Sequence, residues 1–346
     1  MIAFECKQWT GDYWSKDRAN GVDTSPSTSA IFVVKNTPHA PLQQIPIDTP
    51  NPCAPQYSPD GQWIYFQAKK NNHWHIFRCR LDGSETMNIT QTHTPNGDRF
   101  GYCFSQDGTK ILFTYNNGQI GRVGIMEPTG ANPKLVAPEL GYHYMSDISS
   151  DNQSVVFAHT EKSYTLLLKQ LDTGALKALT PELKSCFVPQ FTPNGQTIVF
   201  MRRGGDIYRV DTNGHRLQRL TEGNNYDTFY LSPNDQHGST DGPSLSPDGN
   251  KIAYMAQKNH VSQLHIMNID GTHQQQLTSR QTPCGRATFS PNGKQIAFVS
   301  WVDKHVQLFV INSHGGTPQQ ITHIHGAVYQ LAWQPSNKTT SHPTHH

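Results

Sequence analysis

The sequence predicts an all-β fold, a seven-bladed β-propeller of four-stranded antiparallel blades, and three observations predict it. A turn motif recurs at Ser58-Pro59-Asp60-Gly61, Ser105-Gln106-Asp107-Gly108, Ser149-Ser150-Asp151-Asn152, Thr192-Pro193-Asn194-Gly195, Ser246-Pro247-Asp248-Gly249 and Ser290-Pro291-Asn292-Gly293. The intervals of 47, 44, 43, 54 and 44 residues match the length of a four-stranded propeller blade. The composition agrees: 35% apolar residues with 27 Gly and 23 Pro suits many short strands joined by turns.

Each copy justifies its own elements in order. Apolar residues ahead of the motif supply a first strand, and Asp-Gly or Asn-Gly supplies the positive-φ positions of a two-residue hairpin turn. A second strand follows, such as Trp63-Ile64-Tyr65-Phe66 or Gln295-Ile296-Ala297-Phe298, rich in residues that suit a pleated, buried surface. The third is Asp206-Ile207-Tyr208-Arg209-Val210 or Gln263-Leu264-His265-Ile266-Met267, and a turn such as Asp82-Gly83 or Asp270-Gly271 leads to the fourth. Fourth strands end in Asn88-Ile89-Thr90, Ala178-Leu179-Thr180, Arg219-Leu220-Thr221, Gln276-Leu277-Thr278 and Gln320-Ile321-Thr322.

A degenerate seventh copy at Trp333-Gln334-Pro335-Ser336 accounts for both termini. Val328 to Trp333 is a first strand without a sequel, while Ile2-Ala3-Phe4-Glu5, Ala30 to Val34 and Leu42 to Ile45 are three strands without a first. One C-terminal strand joining three N-terminal strands closes the ring and removes open sheet edges. Residues 1–336 are thus expected to form one domain, with 337–346 a disordered polar tail.

The Ser-Pro-Asp-Gly turn, the Ile-Ala-Phe-like strand and the Leu-Thr ending resemble the TolB-like (WD40-like) β-propeller repeat family over nearly the whole chain. TolB itself is less similar, having six blades and a separate preceding domain. The resemblance implies a stand-alone propeller that presents its channel mouth to a protein or glycan, and no cofactor. A more distant resemblance, to seven-bladed oligogalacturonate lyases, rests on Gln320-Ile321-Thr322-His323-Ile324-His325. It implies β-elimination on an acidic sugar and a divalent ion, manganese or calcium, held by His323 and His325 with His237 as third ligand. In this chain Gln320-Ile321-Thr322 is also the ordinary fourth-strand ending, and the last His stands farther ahead of the following turn than in the lyases.

Charge excludes other classes. Charged residues make up 16% and the formal net charge is +2, with Lys and Arg scattered, unlike the basic stripe of a nucleic-acid binder. No apolar run approaches a membrane span. The six cysteines have no C-x-x-C spacing, which points to free, buried thiols. The start lacks a leader pattern, so the chain reads as cytoplasmic as it stands, or periplasmic if a leader has been removed. A monomer is expected. There is no Gly-x-Ser-x-Gly elbow and no phosphate-cradling loop.

Function is expected on the face opposite the Asp-Gly turns, where two connections exceed what the repeat needs. The first, from Gln8 to Ser29, offers Asp12, Trp14 and Lys16 as ligand-binding residues; the second, from Glu222 to Pro243, offers His237 and Asp241. Arg99, His143, Tyr144, Arg286 and Tyr329 occupy matching positions ahead of their first strands and complete a polar, aromatic rim. Arginine forks bind carboxylates at two points, which suits an anionic or polyhydroxylated ligand such as an acidic oligosaccharide. In a lyase, Arg286 or Arg99 would hold the uronate carboxylate and His143 or Tyr144 would move the proton.

Overall fold

A computed structural model describes residues 1–9, 27–91, 97–160, 164–224, 242–258 and 261–336. Among them there are twenty-eight strands and no helix. The chain begins with β1 (Ile2–Trp9), β2 (Ser27–Val34) and β3 (Gln43–Gln44). Five antiparallel four-stranded sheets follow, each made of consecutive strands. They are β4 to β7 (Cys53–Tyr57, Trp63–Lys70, His73–Arg80, Met87–Asn88) and β8 to β11 (Asp98–Phe104, Ile111–Asn116, Gly121–Met126, Lys134–Leu135). Next come β12 to β15 (Tyr142–Ile148, Ser154–Thr160, Tyr164–Gln170, Leu176–Ala178) and β16 to β19 (Cys186–Phe191, Thr197–Arg202, Ile207–Asp211, Gln218–Arg219). The fifth is β20 to β23 (Ser244–Leu245, Lys251–Lys258, Val261–Asn268, Gln275–Gln276).

The last strands are β24 (Cys284–Phe289), β25 (Gln295–Val302), β26 (His305–Asn312), β27 (Gln319–Gln320) and β28 (Ala327–Trp333). They form an eight-stranded sheet with the N-terminal strands, in which β24 to β27 are one antiparallel group and β28-β1-β2-β3 another. One parallel pair, Val306 with Ala327, bridges the groups. In the second group β28 pairs antiparallel with β1, Ile2 facing Trp333, and β1 with β2, Ile2 facing Val34.

Adjacent sheets pack face to face, so the second and third strands are buried on both sides and read as continuous apolar runs. Val156 and Ala158 of β13, for example, share a core with Ile198 and Phe200 of β17. Eight residues after each turn's first residue stands an aromatic: Phe66, Phe113, Phe157, Phe200, Tyr254 and Phe298, all buried. Phe66 stacks on Phe77 and Phe298 on Phe309 across the strand pair, at 5.4 and 5.6 Å. Phe113 lies instead over Gly124, its cross-strand partner, where a Cβ would come within 2.4 Å of the ring.

The turn is longer than the two-residue hairpin expected. The Ser58 N–H donates to the Trp63 carbonyl and the Gly61 N–H to the Ser58 carbonyl, so four residues form the loop and only Gly61 takes positive φ. Pro59 and Asp60 suit the two negative-φ positions of a type I turn, and the glycine follows in the left-handed region. The Ser58 hydroxyl donates to Asp60 Oδ1 at 2.5 Å and accepts the Trp63 N–H at 3.0 Å, which explains the invariant spacing of Ser or Thr and Asp or Asn. Asn152 takes the glycine position of the third copy at φ 58°, a conformation asparagine tolerates.

The Leu-Thr ending also acquires a cause. Fourth strands are only two or three residues long, so a third-strand N–H is left beyond their end. The threonine hydroxyl accepts it: Thr90 from Ile76, Thr180 from Leu166, Thr221 from Ile207, Thr278 from Leu264 and Thr322 from Leu308, at 2.9 to 3.2 Å. Thr322 Oγ1 also donates to Gln307 Oε1. Thr322→Val should therefore cost about 1–3 kcal/mol of stability, because the buried Leu308 N–H loses its acceptor and Gln307 Oε1 loses one of its two donors. Thr322→Ser should cost clearly less; equal denaturation midpoints for the two variants would show that the hydroxyl does not matter.

All six cysteines are free. Among the described residues no helix is long and apolar enough to cross a membrane.

Candidate functional site

The first strands β4, β8, β12, β16 and β28 converge on a cavity of about 510 Å³. A bulge in each of these strands, and in β24, interrupts its ladder with the neighbouring strand. In five copies the residue four ahead of the turn's first residue takes a left-handed conformation: Ala54, Gly101, Met145, Val188 and Arg286, at φ between 49° and 57°. A bulge bends the strand and re-aims its side chains. Its fivefold recurrence, even at β-branched Val188, makes it part of the sheet design and not a local strain.

Two residues ahead of the turn, side chains in five of the copies tie one first strand to the next. Gln56 Nε2 donates to the Tyr102 carbonyl at 2.8 Å, Cys103 Sγ to the Ser146 carbonyl at 3.5 Å, and Gln190 Nε2 to the Pro243 carbonyl at 2.6 Å. Asp147 Oδ2 accepts the Phe191 N–H at 2.8 Å, and Ser244 Oγ the Phe289 N–H at 3.4 Å. These latches stand as a polar column in the repeat, but none of them is among the site residues predicted from sequence. The cavity lining adds Gln67, Thr114, Gln330, Phe100, Tyr102 and Trp333. It is a wall of amides, hydroxyls and aromatic rings, with Asp147 as the one acidic or basic side chain among the described residues that line it.

Asp147 Oδ1 also accepts the N–H of Ile148. Burial pushes its carboxyl up to about 6, against these two hydrogen bonds, which favour the charged form.

The rim residues predicted from sequence lie within the first strands, not ahead of them: Arg99 in β8, His143 and Tyr144 in β12, Arg286 in β24 and Tyr329 in β28. The strands start earlier than the apolar pattern indicates because the bulge shifts the alternation. Arg99, His143, Arg286 and Tyr329 are buried. Arg99 Nη1 donates to the Gly97 carbonyl at 2.6 Å, its guanidinium sits 5.3 Å from the Tyr115 ring, and burial lowers its pKa. His143 Nδ1 bonds the Gly141 carbonyl at 2.9 Å and its ring packs on Phe157. Burial lowers the His143 pKa against the effect of that carbonyl, so the ring is neutral at pH 7.

Arg286 and Tyr329 do come together. The Arg286 guanidinium lies 3.9 Å from the Tyr329 ring centroid, and Lys7 Nζ lies 4.2 Å from the same centroid. Lys7 approaches Glu5 at 3.8 Å, and Glu5 Oε2 accepts the Ala54 N–H at 3.2 Å. Glu5 and Lys7 were missed because they sit in a strand that reads as core.

His323 and His325 are exposed and face different partners. His323 stacks on His39 at 5.2 Å between centroids, and His325 meets the His305 ring edge-on at 5.1 Å. Among the described residues no three His, Cys, Asp or Glu side chains are placed to hold a metal ion. The described residues thus do not by themselves fit the ion that the lyase resemblance implies. Asp12, Trp14, Lys16, His237 and Asp241 lie outside the described residues.

Consecutive four-stranded antiparallel sheets whose first strands line a common cavity define a β-propeller repeat protein. The chain belongs to the TolB beta propeller domain family, whose model matches residues 33–229 and 233–342. An uncharacterized protein of Agrobacterium fabrum is 35% identical over 86 residues, a match spanning 22% of this chain and 28% of that protein's length. TolB from Acinetobacter baumannii is similar in fold, with TM-score 0.56 and 16% identity, covering 96% of this chain and 83% of that one. An oligogalacturonate lyase from Vibrio parahaemolyticus has TM-score 0.57 at 13% identity, covering 92% and 85%. A puromycin-hydrolyzing peptidase of Mycobacterium tuberculosis has TM-score 0.66 at 12% identity, covering 84% of this chain and 49% of that one.

Proposed function

We propose that the protein is a binding scaffold: a single seven-bladed propeller, closed by β28 against β1 to β3, that receives a hydrogen-bonding protein segment or glycan in its central channel. Contacts between successive turns support the ring. Gly108 packs against Pro59, Gly249 against Pro193 and Gly293 against Pro247, and Gly61 against Gln334 and Pro335. The observation that carries the binding reading is the cavity itself. Its volume lies in the range of ligand sites, and its lining combines aromatic surface with convergent, neutral hydrogen-bonding groups.

A second reading, a carbohydrate-active enzyme similar to the lyases, draws on Arg286 and Lys7 beside Tyr329. An arginine fork beside a second cation suits the carboxylate of a uronate. In that reading Arg286 holds the carboxylate, and His143, neutral at pH 7, or Tyr144 accepts the proton; any divalent ion would need His237. The readings separate in one experiment. Peptide and acidic oligosaccharide arrays are probed with the protein, and the oligosaccharides are followed for the absorbance of an unsaturated product. Retention without product supports the scaffold, product formation supports the lyase, and neither retention nor product overturns both.

A further inference from the structure

Asp147 differs from its counterparts in a way the latch does not require. At the same place in the other copies stand Gln56, Cys103, Gln190, Ser244, Thr288 and Ala332, all uncharged. Ser244 does the same work as Asp147, accepting an N–H from the next first strand, with a neutral hydroxyl. A carboxylate in a protein wall pays a desolvation penalty that a hydroxyl or amide avoids. The charge is therefore surplus to holding the strands, and it stands on the wall of the cavity.

We propose that the cavity contains a cation subsite, in which Asp147 takes a primary ammonium or guanidinium group of the ligand while the surrounding amides and hydroxyls take its neutral polar atoms. A carboxylate oxygen offers more than one lone pair, so each oxygen of Asp147 keeps acceptor capacity after its backbone bond. Ser146 and Gln190, beside it in the lining, supply neutral polar groups next to the charge. A cationic group there gains a charge-assisted hydrogen bond with a half-buried carboxylate.

The titratable groups facing Asp147 do not compete with it. Cys103 is the neighbour that feels its charge, and burial raises the thiol far above neutrality; burial raises Tyr57 and Tyr102 as well. Cation binding should therefore follow Asp147 alone, full at pH 8 and falling away below about pH 6 as the carboxyl protonates.

This inference rests on the reading of the channel as the ligand site. The test is fluorescence anisotropy of a labelled tetralysine peptide with the full chain, competed by unlabelled tetralysine, its fully Nε-acetylated form and spermidine. We expect binding at pH 8 that weakens at least tenfold at pH 5, in Asp147→Asn and in Asp147→Ser, each checked by thermal melting. Acetylation should abolish competition. Competition by spermidine would identify a free polyamine as sufficient; competition by the peptide alone would identify a polypeptide segment. No tetralysine binding at pH 8, or binding within twofold of wild type in both Asp147 variants, overturns the cation subsite. If neutral array ligands still bind and are lost in Ser146→Trp, which fills the cavity from its lining, the cation subsite alone has failed; if they persist in that variant, the channel reading has failed as well.

Discussion

Phe298→Ala should lower stability by about 3–5 kcal/mol, the range for truncating a buried aromatic side chain. Phe298 is fully buried, stacks on Phe309 across the strand pair and belongs to a core that includes Met255 and Ile266 of the preceding sheet. Its loss leaves a cavity between two sheets, where bulged and latched first strands limit collapse. Phe298→Leu keeps most of the volume and should cost about 1.5 kcal/mol or less. Urea denaturation of both variants checks the ranking; equal midpoints would mean that the position is not packed as described.

The second large effect is expected at Gly130, in the turn between β10 and β11. Its φ is +87°, and a Cβ there would come within 1.9 Å of the Ile89 carbonyl oxygen, a backbone atom of the preceding sheet. Gly130→Ala should cost about 2–4 kcal/mol, combining left-handed strain with a displaced sheet contact. Gly174 occupies the corresponding turn between β14 and β15 at φ +73°, where an added methyl would meet nothing within 4 Å. Gly174→Ala should therefore cost only the conformational strain, about 1 kcal/mol. The difference between the two melts measures how tightly one sheet's turn seats on its neighbour. Equal losses would mean that the Gly130 turn does not seat on Ile89.

Most of the fold was legible because the repeat states it six times. Strand order, the buried second strands and the pairing of Ile2 to Glu5 with the last strand all followed from alternation and turn chemistry. The turn length did not, because Asp-Gly fits both a two-residue hairpin and the end of a four-residue loop; the Ser58 hydroxyl bond to the Trp63 N–H selects the longer one. The site was harder to read. A bulge leaves no residue-type signature when Ala54, Met145 and Val188 adopt the same left-handed conformation as Gly101. Without the bulge, Arg99, His143 and Arg286 look like loop residues ahead of a strand, whereas they are buried within one. Asp147 stands two residues ahead of its turn, as its counterparts do, and a sequence cannot say that this position faces a cavity.

The central claim is that the channel interior receives the ligand. Ser146→Trp tests it most directly, because Ser146 lines the cavity and contributes its backbone carbonyl, not its side chain, to the latch with Cys103. Affinities for every peptide or oligosaccharide retained by the wild type should fall at least tenfold in Ser146→Trp and stay unchanged in Met87→Trp, on an exposed outer strand. Unchanged binding by a folded Ser146→Trp would contradict the claim and move the working surface out of the channel.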